Sequence, residues 1–315
     1  MSAVAVATAF GGPEVLSVVD EPVAEPGPGE VRISVRASGV NPIDHKRYSG
    51  MMGEDPDSLP QRVGLEAAGV VSAVGSGDVS GPAGPISVGD EVIANSNGTP
   101  GAAADEWVVP ASTVVPKPAQ VPWDVAAGLL VTGVTAAHLL EALDVRAGQT
   151  LLVHGGAGGV GQLVVQLAVE RGATVIATAS PARHDQLRAL GATPIAYGDG
   201  LLERVRAAAP DGVDAAADLV GTDEAVDVSL AVVARPDRVA TITAFGRGRD
   251  GIQVLGGGGE PETSIRNASR MPLTEAVADG RLTIVIAATY PLGRIADAHR
   301  ESLGGHATGK IVLIP

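Results

Sequence analysis

The sequence predicts an α/β protein made of a β-rich, barrel-like part and a doubly wound parallel sheet. Two textures and one motif carry that expectation. From about residue 150 to 255, short apolar segments alternate with helical ones, the pattern of repeated β-α-β units. Residues 1 to about 120 instead carry short alternating runs such as Val31-Arg32-Ile33-Ser34-Val35, split by turn clusters at Pro26-Gly27-Pro28-Gly29 and Gly81-Pro82-Ala83-Gly84-Pro85. The motif is Leu151-Leu152-Val153-His154-Gly155-Gly156-Ala157-Gly158-Gly159-Val160-Gly161, an apolar strand running into a glycine turn and an amphipathic segment.

In the parallel part, candidate strands are Thr150–His154, Thr174–Thr178, 194–197, 214–220, 239–244 and 252–255. Candidate helices are 161–171, 182–190, Leu201–Ala208 and 222–234. Residues 256–259 read as a loop before a last helix. Two strand-like pieces in the tail, 283–288 and Lys310–Ile314, are placed to complete the first domain.

The motif reads as G-x-G-x-x-G on Gly156, Gly158 and Gly161. The first glycine allows the tight turn, the second lets backbone approach a pyrophosphate, and the third lets helix and strand pack closely. The N-terminus of the following helix then faces the phosphates with free N–H groups and a favourable dipole, and Gly159 and Val160 of the turn join Gly156 and Gly158 as candidate cofactor contacts. In a chain with 42 Gly among 315 residues the motif alone is weak; the flanking strand and helix lift it above a chance glycine turn. An NAD-selective site places an acid at the end of the second strand. Here that end reads Thr178-Ala179-Ser180-Pro181-Ala182-Arg183, with no Asp or Glu between residues 173 and 184. Ser180 and Arg183 suit a 2′-phosphate, which favours NADPH. The plainer alternative makes Ser180 a helix cap and Arg183 a solvated side chain.

Composition narrows the classes. A formal net charge of −14 argues against a general nucleic-acid or anionic-membrane surface. The absence of cysteine excludes disulfides, cysteine-ligated zinc and a cysteine nucleophile. No apolar run reaches the roughly 18 residues of a membrane span, and no signal-like segment follows Met1, so a soluble cytoplasmic protein is expected.

Further motifs are Ala37-Ser38-Gly39-Val40-Asn41-Pro42-Ile43-Asp44, Gly64-Leu65-Glu66-Ala67-Ala68-Gly69, Val88-Gly89-Asp90-Glu91-Val92, Thr132-Gly133-Val134-Thr135-Ala136 and Gly309-Lys310-Ile311-Val312-Leu313. With the glycine turn, and in this order, they resemble the zinc-independent quinone oxidoreductases of the medium-chain dehydrogenase/reductase superfamily. The resemblance implies a GroES-like catalytic domain, residues 1–121 and 281–315, and a Rossmann NADP-binding domain, residues 122–280. It also implies a homodimer, for which the strand at 251–255 is a candidate edge. Zinc-dependent relatives carry cysteine where Asn41 stands and histidine where Leu65 stands, so no metal is expected. His45, His138, His154, His184, His299 and His306 show no usual ligand spacing. Glu66 survives from the zinc-family pattern and reads as structural.

Without a metal, reduction of an electrophilic acceptor is the easier chemistry. The resemblance implies hydride transfer from NADPH to a quinone. The alternatives are an enoyl or enone reductase of the same fold and a non-catalytic NADPH-binding protein. By resemblance, Asn41 lies near the nicotinamide, donating to a developing oxyanion or holding its own turn. Tyr48 is a candidate proton donor or a packing residue. Thr132 seats the nicotinamide or is an ordinary helix residue. Tyr197 packs beside the adenosine ribose or is a strand-end aromatic. Phe245 lines the pocket at the sheet's carboxyl edge. Lys310 reaches the 2′-phosphate or is a surface strand lysine. Arg247 and Arg249 attract an anion or are solvated.

Overall fold

The computed structural model describes every residue except Asn97, Gly257 and His306. The last two belong to the 256–259 loop and to the histidine set considered above, and so lie outside the described residues. The chain forms two compact units, Met1–Val131 with Arg270–Pro315, and Thr132–Ser269.

The first unit is built on a mainly antiparallel sheet. Its strands run in the order Val114–Pro116, Glu91–Asn95, Glu66–Val74, Glu30–Val40, Lys310–Ile314 and Ile286–Pro291, with Glu106–Pro110 also paired to Glu30–Val40. Alternation in Glu30–Val40 turns Val31, Ile33 and Val35 into a core completed by Trp107, Val109 and Val71. Lys310–Ile314 pairs antiparallel with the Val40 end of that long strand. The tail strand predicted at 283–288 begins later, at Ile286. The carbonyl of Val285 accepts the Lys310 N–H at 2.8 Å, and a Cβ on Gly309 would lie 2.1 Å from that carbonyl oxygen, so the pairing starts at a glycine. Ser2–Ala7, Leu16–Glu21 and Gln61–Arg62 form a separate three-stranded sheet.

The second unit is a six-stranded parallel sheet in the order Thr193–Ile195, Thr174–Thr178, Thr150–His154, Ala215–Asp218, Val239–Thr241, Gln253–Val254. Numbered along this unit, that is 3-2-1-4-5-6, a doubly wound arrangement whose order reverses beside Thr150–His154. Leu152, Ile176 and Ala216 sit in its core, so the central strands read as continuous apolar runs. The outer strands are shorter than their apolar segments because pairing stops once a neighbour ends. Gln253–Val254, for instance, pairs only with Ala240 and Thr241.

Candidate active site

The glycine turn sits at the carboxyl end of Thr150–His154 and opens the helix Gly159–Glu170. Its three motif glycines do different jobs. A Cβ on Gly156 would lie 2.7 Å from the Ala177 Cβ, and one on Gly161 would lie 2.2 Å from the Gly155 carbonyl oxygen. Those two glycines serve internal packing. A Cβ on Gly158 would meet only the Gly155 oxygen, at 3.5 Å, and the residue is exposed. The close approach left open at Gly158 therefore faces outward. Gly159 and Val160 follow as the first helical residues, half-buried. Gln162 ties the turn by donating from Nε2 to the Ala157 carbonyl at 2.9 Å.

Backbone bonds bring the other nucleotide candidates of this unit to neighbouring strand ends. Gly155 N–H donates to Thr178 Oγ1 and Gly156 N–H to the Thr178 carbonyl, both at 3.0 Å. Ala179 N–H donates to the Ile195 carbonyl at 3.0 Å. Ser180 is the N-cap position of the short 3₁₀ turn Pro181–Arg183, and Arg183 N–H donates to the Ser180 carbonyl at 2.9 Å. The Arg183 side chain is half-buried. Tyr197 is 61% exposed on a loop held by Arg204, which donates to the carbonyls of Ala196, Gly198 and Asp199. Phe245, 52% exposed, begins the turn after Val239–Thr241. Thr132 is buried on the helix Leu130–Ala142.

A residue the sequence reading passed over frames this edge. Asp218 ends an otherwise alanine strand and is fully buried. Its Oδ1 accepts from Val220 and Gly221 N–H at 3.0 and 2.9 Å, and its Oδ2 accepts from the Thr241 hydroxyl at 2.7 Å. Thr241 Oγ1 in turn accepts from Ala244 N–H at 2.9 Å, next to Phe245. An acid closing an apolar strand was the available signal. Beside it, His154 donates from Nε2 to Ser229 Oγ at 3.1 Å, since Ser229 gives its own proton to the Ala225 carbonyl. Burial pushes His154 down to about 4.

Arg247 is neither an anion receptor nor a solvated side chain. Its Nη1 meets Asp223 Oδ1 at 2.7 Å, its Nη2 meets Asp227 Oδ1 at 2.6 Å, and its Nε meets Asp250, so three carboxylates neutralise it. Arg249 remains exposed.

In the first unit, Asn41 is buried at the start of the helix Pro42–Tyr48. Its backbone N–H donates to Asp44 Oδ2 at 2.9 Å. Both side-chain donors are engaged: Nδ2 reaches Glu66 Oε1 at 3.0 Å and the Gly39 carbonyl at 3.3 Å. Of the two roles open to Asn41, holding its turn is the one these bonds express. Lys310 departs from expectation. It is buried rather than on the surface, and Nζ donates to the Val40 carbonyl, Glu66 Oε1 and Asn41 Oδ1. Those three bonds use all the donors an ammonium has, so none remains for a phosphate. Glu66 Oε2 accepts from Val131 N–H at 2.8 Å, near a helix N-terminus, where a carboxylate is favoured. Gly39 permits this cluster, because a Cβ there would lie 2.4 Å from Glu66 Oε1.

Burial pushes the Asp44 carboxyl up to about 7, against the pull of its Asn41 N–H bond and Lys310. Tyr48 is fully buried, with its hydroxyl hydrogen-bonded to His299 Nδ1 at 3.0 Å, and burial raises it further above the usual phenol range. Of the two readings of Tyr48, proton donor or packing residue, its full burial and its hydroxyl's bond to His299 express the second. Burial also pushes His299 down to about 4.

Two family models match the chain: an alcohol dehydrogenase GroES-like domain over residues 27–119 and a zinc-binding dehydrogenase over residues 190–313. A quinone oxidoreductase of Pseudomonas aeruginosa is 40% identical over 173 residues, 55% of this chain and 51% of that protein, so the match spans about half its length. An NADPH-dependent alkenal/one oxidoreductase of Arabidopsis thaliana chloroplasts is 31% identical over 97% of this chain and 78% of its own. The chain belongs to the medium-chain dehydrogenase/reductase family, in its zinc-independent, quinone oxidoreductase-like branch. The fold agrees along its whole length: the Escherichia coli quinone oxidoreductase complexed with NADPH superposes with a TM-score of 0.87 at 27% identity, covering 99% of this chain and 100% of that one.

For this family member the donor chemistry around Asn41 does not fit a metal. Asn41 Oδ1 and Glu66 Oε1 both face a lysine ammonium, and Leu65 beside them offers no ligand atom. Among the described residues no group of three or more His, Asp or Glu is arranged to hold an ion, and no helix is long and apolar enough to cross a membrane.

Proposed function

We propose that the chain is an NADPH-dependent, zinc-independent reductase that delivers hydride to a small electrophilic acceptor, with a quinone as the leading substrate class. The observation that carries this reading is the glycine turn whose outward face is open at Gly158, joined by backbone bonds to a second strand end that offers Ser180 and Arg183 and no acid. A dinucleotide fits that cradle: Gly158, Gly159 and Val160 would hold the pyrophosphate, Ser180 and Arg183 the 2′-phosphate, Tyr197 the adenosine side, and Thr132 and Phe245 the nicotinamide end. NADPH supplies the hydride when bound. The protein's own contribution is to orient the ring and keep water out. Asp44 holds a proton near neutral pH on the Asn41 helix, whereas the Tyr48 hydroxyl is hydrogen-bonded to His299. An enone acceptor is the second reading, favoured by the near full-length match to the alkenal/one oxidoreductase.

The test is the initial rate of NADPH oxidation by chelator-treated protein with a benzoquinone and with a simple enone, run in parallel with NADH. Turnover with NADPH and one acceptor class supports the reading and chooses between substrates. NADPH binding without turnover on either acceptor would overturn it. Arg183→Ala is expected to weaken NADPH by about 10- to 100-fold, the worth of one charge-assisted hydrogen bond, and to leave NADH nearly unchanged. Equal losses for both nucleotides, measured by titration, would remove the assigned role of Arg183.

A further inference from the structure

The cluster formed by Lys310, Glu66 and Asn41 joins three separate parts of the chain: Lys310 lies 244 positions from Glu66, and Glu66 lies 25 from Asn41. Lys310 and Glu66 are 5% and 0% exposed at their side chains, so the pair is closed to water. Chemistry fixes the orientation of the Asn41 amide. An ammonium can only donate, so the atom facing Lys310 is Oδ1, and Nδ2 is left facing the Glu66 carboxylate and the Gly39 carbonyl. The third ammonium bond goes to the carbonyl of Val40, the residue before Asn41. One lysine therefore grips both the backbone and the side chain of the turn that starts Pro42–Tyr48. Glu66 spreads its own bonds over Lys310, Asn41 and the Val131 N–H.

We propose that Lys310 is a positioning residue for hydride transfer: paired with Glu66, it sets the Asn41 turn and hence the helix bearing Asp44, and it does not bind the cofactor phosphate. This rests on the reductase reading above. The geometry separates it from a phosphate role, because the three bonds to Val40, Asn41 and Glu66 saturate the ammonium. It also accounts for the small residues nearby. Gly39 leaves room for Glu66, and a Cβ on Gly128 would already sit 3.2 Å from the Lys310 Cγ.

The test compares wild type with Lys310→Met, Glu66→Gln and the Lys310→Met/Glu66→Gln double variant, at a temperature well below each melting point. In Lys310→Met, kcat is expected to fall about 10- to 100-fold, as for a displaced reacting geometry, while the affinities for NADPH and NADH keep their ratio. Amide hydrogen exchange in peptides covering Pro42–Tyr48 should quicken. The double variant should recover part of the lost kcat, since no buried charge is left unpaired and the amide that replaces the Glu66 carboxylate still offers an acceptor to Asn41. Selective loss of NADPH affinity would make Lys310 a phosphate ligand and overturn the proposal. So would a lowered melting point with kcat and exchange unchanged, the mark of a residue that only stabilises. Should Lys310→Met fail to fold, the double variant and Glu66→Gln carry the same readouts. If wild type reduces no acceptor, the reductase reading fails, while the exchange rates and the NADPH-to-NADH ratio still decide the role of Lys310.

Discussion

Gly158→Asp is expected to abolish NADPH binding, by more than about 100-fold, while leaving the fold as stable as wild type or slightly more so. Gly158 is the N-cap of the helix Gly159–Glu170, with φ −74° and ψ 171°, a conformation any residue adopts. Nothing inside the protein lies closer than 3.5 Å to a Cβ placed there. Asp is among the best N-cap residues, and its charge suits the positive end of the helix dipole. The same side chain would stand in the opening proposed to hold a pyrophosphate and would repel it. Gly161→Ala should do the opposite damage. Alanine ordinarily stabilises a helix against glycine by about 1 kcal/mol. Here its Cβ would fall 2.2 Å from the Gly155 oxygen and 2.8 Å from the Gly156 carbonyl carbon, both backbone atoms. A loss of about 3 kcal/mol is expected, typical of overpacking. Fluorescence titration with NADPH and thermal melts of the two variants check the pair. Tight NADPH binding by Gly158→Asp would disprove the cradle, and an unchanged melting point for Gly161→Ala would disprove the packing role.

That contrast shows how much of the molecule its sequence discloses. Local features were legible because neighbours in the chain make them: the strand, glycine turn and helix around Gly158, and the end of the second strand at Ser180 and Arg183. The alternating apolar segments also identified the doubly wound sheet, since a strand buried on both faces needs an unbroken apolar run. What stayed hidden depends on partners far away in sequence. Lys310 reads as a 2′-phosphate ligand or a surface strand lysine until Glu66 and Asn41 are seen around it. Arg247 reads as an open cation until Asp223 and Asp227 are found one helix earlier, at separations of 24 and 20 residues. Tyr48 reads equally as a proton donor or a packing residue until its hydroxyl is seen bonded to His299, 251 positions on. In each case residue type was informative, and charge or hydroxyl direction was set by tertiary packing.

The two buried histidines predict a marked sensitivity to acid. His154 and His299 ordinarily titrate near 6.5, and burial pushes each down to about 4. Between those values the unfolded chain binds protons that the folded chain refuses, so stability falls as pH drops from 6.5 to 4, and the loss is complete below 4. At about 1.4 kcal/mol per pH unit, each histidine accounts for about 3 kcal/mol. Asp44 acts with the opposite sign. Its carboxyl is raised from 3.8 to about 7, so the folded chain binds the extra proton between those values and gains stability as pH falls through the window. That gain offsets roughly one histidine. The clean measurement is therefore a difference. His154→Gln keeps an N–H donor for Ser229 and removes the titration, so urea denaturation at pH 7, 5.5 and 4 should show its acid loss smaller than wild type by about 3 kcal/mol. Asp44→Asn should make the loss steeper by a similar amount, because it deletes the compensating proton. Parallel pH curves for His154→Gln and wild type would mean that His154 takes up its proton alike in the folded and unfolded chain, and so is charged in the acidified folded protein. Its bond to Ser229 would then be that of an imidazolium, which a buried strand end beside Leu152 and Val153 has little means to solvate.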